Sequence, residues 1–300
     1  MENRIKTILV SPHSDDIAYS LGGSLLQNFF NRPILMVTIF TRSNYSPSIK
    51  ISGPEKISKV RHLEDVGFTD KLGINFQCLN FNEPPLRGYS RPEIFAKNNP
   101  ASDPIYTDVY NTLLKLIKSY PCDLIAAPMG LGNHIDHIML CDICSRIAKE
   151  NNIRIVFYED LQYASMLTLK QIKIRAKSIN PNLKFSNINI SSIFNDKIEN
   201  MKFYKTQARR TFFTLIKSHA LRLAIENKSL IDMFGPYNLY KYILFLFTNK
   251  TVDIPLYERI WYYDNGEQKE HNEYNISEIN TSEIRINKTG KIYGQILKGE

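Results

Sequence analysis

The chain has 300 residues, of which 43% are hydrophobic and 23% are charged, and its formal net charge is +8. This length is sufficient to bury a sizeable core, and the composition excludes a disordered or fibrous protein. Four cysteines are too few for a disulfide framework at this size, and no apolar run approaches the roughly 18 residues that span a bilayer. Because residues 1–6 lead directly into an apolar strand without a signal core, we expect a cytoplasmic protein.

The positive charge is concentrated in the middle of the chain. Residues 166–250 contain 15 Lys and Arg side chains against 4 Asp and Glu, whereas residues 1–165 contain 17 of each kind. A solvated lysine-rich face, an anionic membrane surface, a phosphorylated ligand and nucleic acid would each account for this charge. The charge alone does not choose among them.

The first half of the sequence alternates short apolar runs with helical patterns. Five strands are predicted, at residues 7–11, 34–40, 75–81, 123–127 and 154–158. Four helices are predicted, at residues 17–30, 55–71, 106–119 and 134–150. Residues 82–105 contain five prolines, which predicts a long loop without regular elements, of the kind that forms lids or binding sites. The alternation favours an α/β fold: a Rossmann-like, doubly wound, mostly parallel sheet with helices on both faces.

The second half of the sequence has a different pattern. We predict a short strand near residues 184–189, helices at about 193–224 and 228–247, and a terminal hairpin around 283–296. Residues 1–165 are therefore expected to form the Rossmann-like catalytic core. Residues 166–300 are expected to form a helical segment and terminal β extension that pack on this core as one compact domain.

Residues that carry chemistry follow the first and fourth strands. In doubly wound sheets, ligands bind beyond the carboxyl ends of the strands where the strand order reverses, which in the common order lies between these two strands. His13, Asp15 and Asp16 follow the first strand, and His134 and His137 follow the fourth on one helix face. Helix capping explains one buried carboxylate but not two beside a histidine. Two histidines and one carboxylate with an open position suit a catalytic zinc, and iron or another divalent ion would satisfy the same ligands.

Two other motifs argue for structure rather than chemistry. Gly22 and Gly23 lie inside the first predicted helix, and no G-x-G-x-x-G follows the first strand, which argues against dinucleotide binding. Cys141 and Cys144 form a C-x-x-C pattern inside the helix that follows the histidines. At this position apolar packing is expected rather than redox chemistry.

These segments together resemble the PIG-L (LmbE-like) family of zinc-dependent N-acetylglucosamine deacetylases. The family's H-P-D-D motif is similar to residues 13–16, and its H-x-D-H motif is similar to residues 134–137. Further similarity is found at residues 61–64, 158–164 and 197–207, so the resemblance covers about residues 6–210. Ser14 and Gln162 stand where the family has proline. Neither change removes a ligand, but both bear on loop rigidity and substrate fit.

The resemblance implies a role for each residue of the two motifs. Three side chains would bind the metal: His13, Asp16 and His137. Asp15 would be the general base, and His134, with its ring held by Asp136, would be the electrophilic or proton-donating group. Substrate contacts are expected from the further similar segments and from the proline-rich loop, at Arg61, Tyr89, Arg91, Glu159, Asp160, Tyr204 and Gln207.

The function that the resemblance implies is metal-dependent removal of the acetyl group from an N-acetylated amino sugar, on a glycosylated natural product or a cell-envelope sugar. A glucosaminyl malate or inositol is a second substrate class. The alternative is a non-catalytic protein of the same fold that binds a sugar or an anionic ligand, although such a protein has no need for both Asp15 and His134. The expected partner is a small-molecule or glycoconjugate substrate rather than nucleic acid. Peripheral membrane contact through residues 166–250 and homo-oligomerisation, which is frequent among relatives, stay open.

Overall fold

The structure, a computed structural model, describes residues 4–96, 99–224, 226 and 255–263. Its strands are β1 (Thr7–Ser11), β2 (Ile34–Thr38), β3 (Asn75–Cys78), β4 (Leu124–Pro128), β5 (Arg154–Tyr158), β6 (Leu183–Asn189) and β7 (Tyr257–Tyr263). Its helices are α1 (Asp16–Leu26), α2 (Pro54–Leu72), α3 (Arg91–Ile94), α4 (Tyr106–Ser119), α5 (Ile135–Glu150), α6 (Tyr163–Met166), α7 (Leu169–Ile179), α8 (Phe194–Met201) and α9 (Arg210–Ala224). Across these residues no helix is both long and apolar enough to cross a membrane.

The strands form a sheet in the order β3-β2-β1-β4-β5-β7-β6. The first five in this order are parallel, and β7 runs antiparallel to both β5 and β6. The predicted doubly wound, mostly parallel sheet is thus confirmed. The chain leaves β1 towards β2 and β3 and returns at β4 to continue towards β5, so the strand order reverses between β1 and β4. A crevice for ligands is expected at this point.

The second half of the chain contributes to the same sheet. The strand predicted near 184–189 is confirmed as β6. The single helix predicted over 193–224 is wrong, because α8 and α9 are separated by residues 202–209. In this break Thr206 donates from its backbone N–H and its hydroxyl to the Glu64 carboxylate at 2.7 and 2.6 Å. The helix predicted at 228–247 and the hairpin at 283–296 lie outside the described residues, and the division at residue 165 stays a prediction.

Residues 82–105 are less irregular than their prolines predicted. The structure has a 3-10 turn at Pro84–Arg87, the short helix α3, and a second 3-10 turn at Pro100–Ser102. In each of them a proline occupies one of the first two positions, where its missing N–H costs no hydrogen bond. The prolines therefore start helical turns here instead of preventing them.

Gly23 in α1 is explained by the close approach of Ile190 and of Glu258 on β7. A Cβ on Gly23 would lie 2.8 Å from Ile190 Cγ2 and 2.9 Å from Glu258 Oε1. Glu258 accepts from the Gly23 N–H at 2.8 Å and forms an ion pair with the buried Lys197 at 2.6 Å. These contacts fix α1, whose first residue is Asp16, against the sheet.

Candidate metal centre

The loop after β1 brings His13 and Asp16 together. The Ser11 hydroxyl donates to the backbone carbonyl of His13 at 2.6 Å, and the His13 backbone N–H donates to Asp16 Oδ2 at 2.8 Å. Asp16 is the first residue of α1, where a carboxylate is favoured by the helix dipole. Four consecutive side chains of this loop, residues 13–16, are buried. The short turn from strand to helix thus fixes both potential ligands.

The turn after β4 requires two glycines. Gly130 and Gly132 have φ angles of 75° and 78°, which side chains rarely adopt, and a Cβ on Gly132 would lie 2.7 Å from Tyr163 Cβ. His134 caps α5 by accepting from the Asp136 N–H at 3.3 Å through its Nδ1 atom. His137 follows within the first turn of α5 and is fully buried.

Three side chains of these two segments present donor atoms to one point. His13 Nδ1 lies 3.3 Å from Asp16 Oδ2 and 3.3 Å from His137 Nε2, and Asp16 Oδ2 lies 3.5 Å from His137 Nε2. Tetrahedral coordination at about 2.0–2.2 Å separates ligand atoms by about 3.3–3.6 Å. The donor set therefore fits a zinc-like divalent ion. Ring nitrogens of His13, His134 and His137 also lie within 4.8 Å of one another, a looser set than the one that includes Asp16.

Each candidate histidine ligand is backed by a carboxylate on its far side. His13 Nε2 lies 2.9 Å from Asp136 Oδ2, and His137 Nδ1 lies 2.6 Å from Asp160 Oδ1. Such carboxylates orient an imidazole and leave its other nitrogen free for a metal. The Asp136 carboxylate was expected at the His134 ring, but it contacts His13 instead. Side chains two residues apart at a helix start do not face each other, so only the Asp136 backbone reaches His134.

Protonation of the His13 ring competes with the binding of a metal ion to it. Burial opposes its charged form, but hydrogen bonds to Asp136 and Asp16 outweigh burial and raise the pKa of His13 to about 10. A metal at this point must displace that proton, since only the neutral imidazole ligates. Metal binding is therefore linked to proton release.

The pKa values of Asp15 and His134, which lie in the same two segments, are shifted in opposite directions. Burial and the neighbouring Asp16 raise the pKa of Asp15 to about 7, although Arg61 opposes the shift. Burial, together with His13 and His137, holds the pKa of His134 well below its ordinary value. His134 is thus neutral, and because its Nδ1 accepts a hydrogen bond, its proton is assigned to Nε2. The side chain is a neutral donor rather than an imidazolium.

Two predicted substrate contacts lie in the interior. Arg61 is 1% exposed, and its Nη1 atom pairs with Glu83 Oε1 at 2.6 Å. Tyr204 is also buried, and its hydroxyl donates to Asp65 at 3.1 Å. The positive charge of Arg61 lowers the pKa of Asp15 and so favours the carboxylate form that a general base requires.

The remaining predicted contacts lie in different surroundings. Asp160 faces the metal centre, whereas Glu159 faces the other way, towards His219 at 2.7 Å and Trp261 at 2.9 Å. Tyr89 donates to Asp103 at 2.9 Å, and Arg91 is exposed. Gln207 is buried, and its Nε2 atom has no hydrogen-bond partner among the described residues.

Sequence reasoning missed several residues near the centre. The rings of Phe95 and Tyr163 lie 5.3 and 6.1 Å from the His134 ring, and Phe95 is 36% exposed. Arg87 donates to Asp136 Oδ1 at 2.7 Å. Of these, only Tyr163 lay in a segment with a recognisable pattern, and no spacing in the proline-rich loop singles out Phe95 or Arg87.

The structure thus places a buried His–Asp–His donor set, which could hold a divalent metal ion, at the switch point of a Rossmann-like sheet. Residues 8–148 match the family model described as PIG-L: GlcNAc-PI de-N-acetylase. The similarity to the PIG-L family that the two motifs indicated is thus confirmed over this part of the chain.

Similar proteins were found by sequence and by structure. The 2'-N-acetylparomamine deacetylase of Streptomyces fradiae is 27% identical over 207 residues, which are 68% of this chain and 74% of the relative. A deacetylase–teicoplanin complex from teicoplanin biosynthesis superposes with a TM-score of 0.60 at 16% identity, over 86% of this chain and 97% of that one. GalB, the 4-carboxy-2-hydroxymuconate hydratase of Pseudomonas putida, has a TM-score of 0.52 at 11% identity, over 85% and 96%. The two structural likenesses show the fold alone.

Proposed function

We propose that this protein is a metal-dependent amidohydrolase that removes the acetyl group from an N-acetylated amino sugar. The observation that carries the proposal is the set of three donor atoms, 3.3–3.5 Å apart, beside a buried acid and a neutral histidine. The PIG-L family match and the name of the Streptomyces fradiae relative support amide hydrolysis on an amino sugar. The hydratase with the same fold makes a test of the reaction necessary.

The residues that would hold the metal are His13, Asp16 and His137. A divalent ion there would supply Lewis acidity, which polarises an acyl carbonyl and lowers the pKa of water. Zinc suits two imidazoles and one carboxylate, and Fe²⁺ would satisfy the same donors. The carboxylates Asp136 and Asp160 keep both imidazoles oriented for this task.

Asp15 is the general base of the proposed reaction. It is buried directly beside the ligand Asp16, and its raised pKa makes the carboxylate a competent proton acceptor. It takes a proton from the attacking water as the new C–O bond forms. It then delivers this proton to the sugar nitrogen as the C–N bond breaks, so that acetate and a free amine leave.

His134 stabilises the negative charge that develops on the acyl oxygen as water adds to the acyl carbon. A neutral imidazole whose Nδ1 is held by the α5 backbone presents a fixed Nε2–H, and no reorganisation is needed when charge develops. The aromatic rings of Phe95 and Tyr163 surround this imidazole. They form an apolar wall against which a sugar ring can pack.

The deciding experiment measures metal content and acetate release together. The purified protein is analysed for bound zinc and iron and assayed with a panel of N-acetylglucosaminides that includes 2'-N-acetylparomamine. We expect about one metal ion per chain and acetate release that a chelator abolishes and added metal restores. A chain that takes up no metal contradicts the proposal and favours a sugar-binding protein. A metal-loaded chain that releases no acetate from any substrate of the panel contradicts the deacetylase activity.

A further inference from the structure

Arg87 forms an ion pair with Asp136, the carboxylate that contacts His13 Nε2. It ends the 3-10 turn at Pro84–Arg87, and its side chain is only 6% exposed. Its Nη2 atom donates to Asp136 Oδ1 at 2.7 Å and to Asp103 Oδ2 at 3.1 Å. One buried guanidinium thus bridges a carboxylate of α5 and a carboxylate at the end of the proline-rich loop.

Two aromatic rings and a carbonyl fix the orientation of this guanidinium. It lies over the rings of Phe40 and Tyr89, at 5.2 and 5.4 Å from their centroids, and Nη1 donates to the Asn82 carbonyl at 2.7 Å. A planar guanidinium that lies near two rings while its two terminal nitrogens donate to two carboxylates and a carbonyl is a geometry that the compact ammonium of lysine does not reproduce. The side chain is therefore held for a specific contact rather than paired loosely at the surface.

The contact continues to a metal ligand. Asp136 Oδ1 accepts from Arg87, and Asp136 Oδ2 is bonded to His13 Nε2 at 2.9 Å. The other nitrogen of the same ring is the donor atom that faces Asp16. The carboxylate behind His137, Asp160, accepts instead from the neutral N–H of Leu131 at 2.9 Å. Among the described residues, the carboxylate behind His13 is thus paired with an arginine, whereas the carboxylate behind His137 is not.

We propose that Arg87 is a positioning residue for metal binding, which acts through Asp136 on His13 and anchors the proline-rich loop to the metal centre. The inference rests on the proposed metal site. Paired with a guanidinium, the Asp136 carboxylate is held in one rotamer, so that it accepts from the Nε2–H of His13 and leaves Nδ1 to the metal. Without the guanidinium, Asp136 is a buried carboxylate with one partner fewer, and the ring loses its fixed orientation. Loss of such an outer contact typically weakens metal binding 10–100-fold.

The test compares metal affinity in three variants with the unaltered chain. Arg87→Gln removes the charge and shortens the side chain, and Arg87→Lys keeps the charge but lacks the planar group and the second terminal nitrogen that donates to Asn82. Arg146→Gln is the matched control, because Arg146 also pairs with a carboxylate, Glu150 at 2.8 Å, and lies over the Tyr110 ring, but on the exposed surface of α5. The dissociation constant for Zn²⁺ is measured on metal-free protein by competition with a chromogenic chelator. Circular dichroism checks the fold of each variant.

We expect the Zn²⁺ dissociation constant to rise 10–100-fold in Arg87→Gln, by a smaller factor in Arg87→Lys, and by less than twofold in Arg146→Gln. A constant within twofold of the original in both folded Arg87 variants overturns the inference, and Arg87→Lys decides alone if Arg87→Gln does not fold. An equal loss in Arg146→Gln also overturns it, because the effect is then not specific to the Asp136 contact. If the unaltered chain binds no Zn²⁺, the metal site itself fails. If it binds Zn²⁺ but releases no acetate, only the proposed reaction fails.

Discussion

Asp15 and Asp16 are neighbours in one buried loop, yet their surroundings separate their pKa values. Burial would raise the pKa of Asp16, but His137 and His13 outweigh burial and hold this pKa below its ordinary value. Burial and the charge of Asp16 raise the pKa of Asp15 to about 7. Adjacent carboxyl groups with diverging pKa values are a common basis for division of labour in active sites. Here the difference between the two pKa values supports the proposed roles of Asp16 as a metal ligand and Asp15 as the group that transfers protons.

Asp15→Asn separates these two tasks. The amide cannot accept a proton, so we expect acetate release to fall 10²–10⁴-fold, while metal content stays near that of the unaltered protein. Asp70→Asn, which alters an exposed carboxylate on α2, is the control and should change neither quantity. Steady-state kinetics and metal analysis on the same samples decide the matter. Acetate release within threefold of the original would remove Asp15 as the base.

A second pair of substitutions distinguishes the two possible donor sets. If the metal is held by His13, Asp16 and His137, then Asp16→Asn should weaken Zn²⁺ binding by at least about 10²-fold, because it removes a charged donor. His134→Gln should leave metal affinity within a few-fold and lower kcat by about 10²–10³, because it removes only an oxyanion donor. Isothermal titration with Zn²⁺ and acetate assays provide both readouts. Loss of metal in His134→Gln with retention in Asp16→Asn would support the three-histidine set instead.

At the scale of elements, α1, which begins at Asp16, is packed closely at Gly23. The Cβ that Gly23→Ala introduces would collide with Ile190 and Glu258 at 2.8 and 2.9 Å, whereas the Cβ of Gly22→Ala would meet Lys197 Cγ at an ordinary 3.5 Å. We therefore expect Gly23→Ala to lower the free energy of unfolding by about 1–3 kcal/mol. Gly22→Ala gains helix propensity and should be neutral or stabilising by up to about 1 kcal/mol. Urea denaturation of both variants tests the difference in sign, and equal effects would contradict the predicted close approach.

The elements that the sequence predicted are those with local signals. Strands β1, β2, β4 and β5 are mostly apolar runs, fully buried in β1 and β2 and largely buried in β4 and β5, and such runs are recognisable without knowledge of their partners. The break between α8 and α9 has no comparable signal. It depends on Thr206 bonding to Glu64, 142 residues away. The prolines at 84, 92 and 100 led to a wrong prediction of irregular structure, because a proline at the first or second position of a helical turn does not prevent that turn.

In the candidate site, too, local sequence patterns predicted some features, and long-range contacts decided the others. The segments that contain His13, Asp16 and His137 were predicted to meet because they follow two strand ends that a doubly wound sheet brings together. The choice of these three side chains as metal ligands came from the resemblance to the PIG-L family. The assignment of Asp136 to His13, the pairing of Arg61 with Glu83, and the contact of Arg87 depend on side-chain directions. Strand and helix order does not determine such directions. Pattern therefore located the centre, and tertiary packing decided its supporting contacts.

At the scale of the whole molecule, the centre joins segments that are far apart in the chain. The donor atoms of His13 and His137 are separated by more than 120 residues and lie 3.3 Å apart only in the folded protein. The residues around them are tied to later elements, since Glu258 on β7 bonds to α1. A cation bound here is therefore bound by the native state and not by the unfolded chain, so its binding free energy adds to the stability of the fold.

Thermal unfolding with and without metal tests this linkage. At a free Zn²⁺ concentration about 100 times the dissociation constant, the native state gains about 2.7 kcal/mol. For a domain of this size each kcal/mol shifts Tm by about 2–4 °C, so a chelator should lower Tm by roughly 5–11 °C. Asp16→Asn, which lacks a donor, should show a much smaller shift under the same conditions, and the exposed Asp70→Asn should show the full shift. An equal response of all three proteins to the chelator would mean that the stabilising ion binds elsewhere. Retention of the chelator response in Asp70→Asn and its loss in Asp16→Asn would locate the stabilising ion at the centre between β1 and β4.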